Sequence, residues 1–194
     1  MVQRTRMHVV VFDLEFTAWE GSLARGWDRP FELKEVVQIG AVKLDVHTLK
    51  SVDEFDMLVR PRVNPRLSEY FTRLTGITNA AVAARGVDLA VAYRAFLDFA
   101  GGGTAWAFGR DDLIFDDNLR LYALDIPRAP YGNVIPWFAA AGIDLTGKHA
   151  CDVARAVGAQ HEGRDHDALA DAHSVAAGVV TQIGRGTPNP FLPS

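Results

Sequence analysis

The stretch VVFDLEFT, residues 10–17, combines the pattern of a buried strand with two acids. Its apolar residues fall on both strand parities, as expected for a central strand covered on both faces. Asp13 and Glu15 stand two residues apart, so in a strand their carboxylates point to one face. Neighbouring carboxylates repel each other and are costly to desolvate. The stretch therefore predicts that a cation lies between them.

Around this strand, the chain of 194 residues reads as one α/β layered domain. The first three strands are expected to form a meander, residues 18–33 a loop, and residues 185–194 an irregular tail after a domain spanning 1–184. Apolar periodicity predicts strands at 7–16, 35–45, 51–61 and 104–109, and helices at 67–75, 89–100, 111–122, 151–159 and 166–184. Residues 131–141 are ambiguous and are expected to form a short strand and a turn that lead into a helix.

Composition restricts the classes of function. There are 20 basic and 24 acidic side chains, a net charge of −4, so binding to nucleic acid would require a local basic patch or bound metal. The single cysteine, Cys151, excludes an internal disulfide and fits a reducing, cytoplasmic compartment. No apolar run approaches 18 residues, so no membrane contact is expected, and the acids that interrupt the N-terminal run argue against a signal peptide.

Two further segments carry acids where a helix is expected to begin. AFGRDDLIFDDNL (107–119) places Asp111 and Asp112 after a strand, and GRDHDALADAHSV (163–175) contains His166 and Asp171. Four converging carboxylates would form the hard-oxygen site that Mg²⁺ or Mn²⁺ prefers. Two such ions about 3.5–4 Å apart can hold the attacking and leaving oxygens of a phosphodiester. A nearby histidine suits removal of a proton from the attacking water.

These motifs resemble those of the DEDDh 3′–5′ exonucleases, the DnaQ-like branch of the RNase H-like superfamily. FDLEFT is similar to the first motif, FGRDD with the following apolar helix to the second, and HDALAD to the third, whose histidine marks the h subtype. ELKEVVQIGAV and LTGIT resemble segments between the first two motifs. The resemblance covers about residues 7–183. It implies an α/β RNase H-like fold, a mixed five-stranded sheet flanked by helices.

The resemblance also implies roles for individual residues. Asp13 would bridge two Mg²⁺ or Mn²⁺ ions, Glu15 and Asp171 would hold the ion on the nucleophile side, and His166 would be the general base. The second-motif acid would bind metal through water. Thr17, Leu74 and Thr75 are candidates for contact with the substrate.

The second motif leaves its metal ligand open. Asp111 is preferred because Ile114 and Phe115 then stand at the apolar +3 and +4 positions, but Asp112 gives a second registration. A third, through Asp116, would leave the acid well inside the helix. Whichever of Asp111 and Asp112 is not catalytic would act as a helix cap or first-turn acid.

Other residues allow other interpretations. Cys151, His161, His166 and His173 lack the short ligand pairs of structural zinc sites. Arginines interleaved with aromatics between 60 and 73 could follow a phosphate backbone or form an ordinary solvated face. Trp19 and Trp27 could likewise line a substrate groove or simply pack within the fold.

The sequence thus predicts a two-metal 3′–5′ exonuclease that acts on the 3′ end of single-stranded DNA or RNA and releases nucleoside 5′-monophosphates. A homodimer is possible. Two alternatives stay open. One is a non-catalytic nucleic-acid-binding domain of the same fold, against which the repulsive acid cluster argues. The other is an oligoribonuclease-like enzyme for short oligonucleotides.

Overall fold

A computed structural model of the chain describes residues 8–192, where helices cover both faces of a five-stranded sheet. The strands are β1 (His8–Phe16), β2 (Val36–Asp45), β3 (Ser51–Leu58), β4 (Ala105–Ala107) and β5 (Tyr131–Asn133). The helices are α1 (Ser22–Arg25), α2 (Glu69–Thr75), α3 (Asn79–Arg85), α4 (Leu89–Ala100), α5 (Asp111–Leu121), α6 (Ile135–Ala140), α7 (Val153–Ala156) and α8 (Ala168–Gly184), with a 3₁₀ turn at Ala150–Asp152.

The sheet has the order β3-β2-β1-β4-β5, which makes β1 the central strand. Strands β1, β2 and β3 form an antiparallel meander. Strands β4 and β5 continue the sheet parallel to β1. The predicted α/β fold with a mixed five-stranded sheet is confirmed. Because β1 is central, the acids near its C-terminal end lie in the middle of one sheet edge.

Alternate residues of β1 enter two separate cores. Phe12 and its even-numbered neighbours pack against α4 and α5. Val9 and Val11 pack on the opposite face, in the cluster that contains Val175 and other residues of α8. Since side chains alternate along a strand, Asp13 and Glu15 continue the series of Val9 and Val11 and face the side covered by α8.

Gly40 lets α8 approach the sheet closely. It pairs with Asp13 across β1 and β2. A Cβ atom at Gly40 would lie 2.1 Å from the backbone nitrogen of Leu169, too close for any side chain. The first turn of α8 therefore rests on the backbone of β2, which brings Asp171 next to the acids of β1.

Several predicted boundaries are corrected. The predicted loop 18–33 contains α1, and α3 had no counterpart in the sequence prediction. Both helices are short, so their formation depends on capping and packing more than on a long apolar period; in α3 the cap is Thr78, which accepts the N–H of Ala81 at 3.1 Å. Helix α2 begins at Glu69, β3 ends at Leu58, and Met7 lies outside the described residues.

Residues 185–192 are irregular, as expected for the tail, and they pack on the domain. Trp137 Nε1 donates to the carbonyl of Pro188 at 2.8 Å, and Phe191 contacts Trp106 with ring centroids 5.6 Å apart. The division into a domain of 1–184 and a separate tail stays a prediction. Within residues 8–192, no helix has the length and apolarity needed to cross a membrane.

Candidate active site

A pocket of about 370 Å³ opens at the C-terminal end of β1. Strand β1 supplies two of its acids, the start of α5 a third and the first turn of α8 a fourth. The loop before α8 supplies a histidine. The predicted residues that the pocket brings together are Asp13, Glu15, Asp111, His166 and Asp171.

Asp13 and Glu15 are buried with exposed fractions of 8% and 7%. Burial raises the pKa of both carboxyls well above the usual range, and the negative charges of Asp111 and Asp171 raise them further. Among the described residues, no neighbouring cation lowers the pKa of either carboxyl. In the folded chain this pair therefore favours either protons or a bound cation.

Asp111 and Asp112 have different surroundings although they are adjacent. Asp111 lines the pocket, and burial raises the pKa of its carboxyl to about 7. Asp112 turns away and accepts two hydrogen bonds from the Arg110 guanidinium at 2.8 Å each. These bonds lower the pKa of Asp112. The geometry favours Asp111 as the second-motif ligand, and Asp112 is the first-turn acid.

This asymmetry gives a matched pair of variants. Asp111→Asn is expected to lower kcat by roughly 10²-fold or more because it removes a carboxylate from the metal-binding group. Asp112→Asn removes only a surface ion pair and should leave kcat within about twofold. Steady-state rates on a labelled oligonucleotide measure both. Equal losses in the two variants would contradict the assignment.

Asp171 lies in the first turn of α8, one turn after its N-cap. The cap is Asp167, whose side chain accepts the N–H of Ala170 at 3.1 Å. Asp171 is only 3% exposed. Burial raises the pKa of its carboxyl to about 7, although a backbone hydrogen bond from His166 opposes the shift. Helix α8 thus holds this carboxylate beside the loop that carries the histidine.

His166 adopts a left-handed backbone conformation with φ of 61°, which is rare for a residue other than glycine. Its neighbour Asp165 anchors the loop, since it accepts Arg155 Nη2 at 2.8 Å and lies 3.0 Å from His161 Nε2. Burial lowers the pKa of His166, and the nearby His149 lowers it further. The imidazole is therefore neutral at pH 7 and can accept a proton.

The donor set fits a divalent cation. Glu15, His166 and Asp171 each offer one atom, and these atoms lie within 4.8 Å of one another. Asp111 Oδ2 and Asp171 Oδ1 are buried and lack a hydrogen-bond partner among the described residues. Orphaned carboxylate oxygens in an apolar setting are costly unless a cation or proton satisfies them. The cluster therefore supplies the hard oxygen ligands of a divalent metal site.

The raised pKa values predict how stability responds to pH and metal. A carboxyl with a raised pKa stabilises the folded state at pH values below its unfolded pKa, near 4, and this contribution is lost as pH rises through the folded value. For Asp111 and Asp171 that value is about 7. In EDTA, each of these two carboxyls should lower the free energy of unfolding by on the order of 4 kcal/mol between pH 4 and pH 8.

Adding Mg²⁺ or Mn²⁺ at pH 8 should recover that loss, because the ion binds the ionised folded site. Urea unfolding at several pH values, with and without metal, measures both effects. A stability that is independent of metal at pH 8 would contradict the metal site.

The other half of the pocket is apolar. Leu74 lies there as predicted, beside Trp27, Tyr70 and Leu23. Trp27 is fixed by a 3.1 Å hydrogen bond from its Nε1 to the carbonyl of Thr17. This surface is suited to stacking on a nucleobase.

Thr17 and Thr75, also predicted to contact substrate, are not among the described residues that line the pocket. The Thr17 hydroxyl donates to the carbonyl of Leu33 and accepts the N–H of Glu35 at 2.9 Å. The Thr75 hydroxyl donates to the carbonyl of Phe71 at 3.0 Å. Both side chains are buried and bond to backbone groups, so their contact with substrate stays a prediction.

The predicted basic and aromatic segment is divided by the fold. Phe71 is in a core cluster, and only Tyr70 and Leu74 of this segment reach the pocket. Arg73 pairs with Glu20 at 3.3 Å, and Arg62 lies over the Tyr122 ring. The segment therefore forms no continuous basic track into the pocket.

The residues of the zinc alternative also separate. Cys151 is buried, and burial raises the pKa of its thiol to about 12. His161 lies by Asp165, and His173 Nε2 lies 2.9 Å from Glu54 Oε1. Sequence reasoning assigned no role to several pocket residues because no motif marks them, among them Leu23, Phe108, Lys148 and His149.

The chain is similar to known exonucleases. Residues 10–178 match the model of the RNase T family, described as "Exonuclease". A segment of 75 residues is 39% identical to 3′-5′ exoribonuclease 1 of Mus musculus and 35% identical to the 3′-5′ exonuclease Snipper of Drosophila melanogaster. The segment makes up 39% of this chain, but only 20% and 25% of those proteins.

Solved structures show the same fold. The nuclease domain of 3′hExo, a DEDDh family member bound to rAMP, superimposes with a TM-score of 0.81 at 20% identity, covering 98% of both chains. Cell-death related nuclease 4 gives 0.76 at 21% identity, over 92% of this chain and 64% of that one. Exonuclease I of E. coli, in complex with a dA16 oligonucleotide, gives 0.64 at 16% identity over 92% and 41%.

Proposed function

This chain belongs to the RNase T exonuclease family, whose model matches residues 10–178, and from that premise we propose that it is a metal-dependent 3′–5′ exonuclease. The observation that carries the proposal is the convergence of Asp13, Glu15, Asp111 and Asp171 with His166 in one pocket. The reaction is hydrolysis of the last phosphodiester bond of a single strand. The product is a nucleoside 5′-monophosphate.

Each pocket residue has a task in this proposal. Asp13, Glu15 and Asp171 would hold two divalent ions, with Asp13 serving both of them, and Asp111 would bind metal through water. When bound, Mg²⁺ or Mn²⁺ supplies the positive charge that neutralises these carboxylates and the phosphate. The buried, uncompensated acids support this assignment, because they form a site that is unfavourable without cations.

His166 is proposed as the general base. Its neutral imidazole accepts a proton from the attacking water, whose oxygen forms a new bond to phosphorus. The bond from phosphorus to the 3′ oxygen of the penultimate nucleotide then breaks, and that oxygen takes up a proton from solvent. The lowered pKa of His166 and its left-handed backbone conformation support this role, because perturbed pKa values and strained backbone conformations cluster at active sites.

The substrate class is proposed as single-stranded RNA or DNA with a free 3′ end. Relatives named exoribonucleases support RNA, but the matched segment spans only a fifth to a quarter of their length. The apolar half of the pocket, with Trp27 and Leu74, supports stacking on the terminal base. A homodimer and a cytoplasmic location stay predictions.

The test is incubation of the protein with 5′-labelled single-stranded DNA and matched RNA of several lengths, with Mg²⁺, Mn²⁺ or EDTA. A metal-dependent ladder that shortens from the 3′ end is expected, with nucleoside 5′-monophosphates as products. Activity confined to the shortest strands would favour the oligoribonuclease-like alternative. Binding without shortening would favour the non-catalytic alternative and refute the proposal.

A further inference from the structure

A second cavity adjoins the active-site pocket on the side away from its apolar half. It has a volume of about 620 Å³, within the range of small-molecule sites. Phe108 and Lys148 line both cavities. The remaining walls come from α6 and the loop that follows it. A molecule that extends from one cavity into the other must therefore pass Phe108 and Lys148.

The order of the strands places the two cavities on opposite sides of the acids. Trp27 and Tyr70 pack in the cluster that contains Val37 of β2. Phe108 packs in the cluster that contains Val134, directly after β5. Strand β1, with Asp13, lies between β2 and β4. A nucleic-acid strand whose last base lies by Trp27 and whose last phosphodiester lies at the acids would thus continue toward Phe108.

Lys148 carries the charge that this path requires. It is the sole lysine or arginine among the described residues that line the pocket of the acids. Within residues 8–192 its ammonium group has no ion-pair partner, whereas eight other lysine and arginine side chains of the described region, seven of them arginines, do have one. A free cation at the junction of an acidic and an apolar cavity complements a phosphate.

The second cavity suits a nucleoside. Phe108 offers an aromatic surface, and Ile135, Ile143 and Leu145 add apolar walls. Asp144 is the one carboxylate among the described lining residues, and its Oδ1 accepts the N–H of Thr146 at 2.9 Å. The Asp144 carboxylate is therefore engaged in a hydrogen bond within its own loop.

We infer that the cavity behind Phe108 is the subsite for the penultimate nucleoside and that Lys148 binds the phosphate that joins this nucleoside to the terminal one. The inference rests on the proposed function, because it describes how the same nucleic-acid strand continues beyond the acids. The shortest ligand that fills both sites is a dinucleotide. A nucleoside without a phosphate, such as adenosine, reaches only the first.

Binding measurements test the inference separately from turnover. In a His166→Ala background with Mg²⁺, which limits hydrolysis, anisotropy follows a fluorescein-labelled single-stranded trinucleotide and calorimetry follows adenosine, which has no phosphate. Lys148→Gln should weaken trinucleotide binding by roughly tenfold and reduce the slope of log K against log salt by about 0.7, the loss of one phosphate contact. Binding of adenosine should not change.

The control is Lys50→Gln, an exposed lysine after β2, at the opposite end of the sheet from Glu15. A second variant, Ala139→Trp, fills the cavity without touching the acids and should weaken only the trinucleotide. Equal effects on both ligands, or no effect of either variant, would overturn the subsite even if the protein is an active nuclease. A wild-type protein that shortens no strand would refute the function, while the binding data would still decide the subsite.

Discussion

Asp13→Asn is expected to reduce strand shortening to background. The substitution removes the carboxylate at the centre of the acid cluster, which both ions would share, while it keeps the shape of the side chain. Burial and three neighbouring acids in the pocket raise the pKa of Asp13, so its ionised form is costly without metal. In EDTA at pH 8 the variant should therefore be more stable than the wild type.

The gain in stability should disappear as the pH falls below about 4, the usual pKa of an unfolded aspartate, because the wild-type carboxyl is then protonated in both the folded and the unfolded state. Added Mg²⁺ should stabilise the wild type and not the variant. Asp98→Asn is the control, because Asp98 is exposed on α4, across the sheet from the site. Retained activity in Asp13→Asn, or an equal stabilisation of both proteins by Mg²⁺, would refute the metal-site assignment.

His166→Ala is expected to lower kcat by roughly 10²–10⁴, the usual contribution of a general base, with little change in metal binding by the carboxylates. His166 lies in the loop before α8 and outside the core clusters, so the fold should persist when its ring is removed. Activity of the wild type should rise with pH as the imidazole becomes neutral, and the variant should lose that dependence. Rates measured from pH 5 to pH 9 test both statements.

His173→Ala provides the matched histidine control. His173 lies on α8 close to the site in sequence, but its ring contacts Glu54 instead of the pocket. Its replacement should leave the rate and the pH profile unchanged. A near-full rate in His166→Ala would show that another group takes the proton.

Much of the site could be predicted because the strand period fixes which residues share a face. Asp13 and Glu15 had to lie together once β1 formed, and the apolar stripe of α8 oriented Asp171 toward the sheet. The sequence could not separate Asp111 from Asp112. That choice depends on which of the two carboxylates pairs with Arg110, and in the structure it is Asp112.

Other features of the pocket could not be recognised from the sequence. Lys148 and Phe108 are far apart in sequence, and only the sheet order brings them to one cavity. Thr17 and Thr75 matched motif positions, yet their hydroxyls bond to nearby backbone groups, a use that spacing alone cannot distinguish from substrate contact.

The contact between Gly40 and the start of α8 has a consequence for synthesis of the protein. Asp13 and Glu15 are translated well before α8, and Asp171 reaches them only when α8 packs on Gly40 of β2. A nascent chain therefore holds an incomplete acid set until α8 has been translated and has folded onto the sheet, since a domain folds as a unit. The messenger RNA being read, itself a polymer of the proposed substrate class, meets the complete acid cluster only after that step.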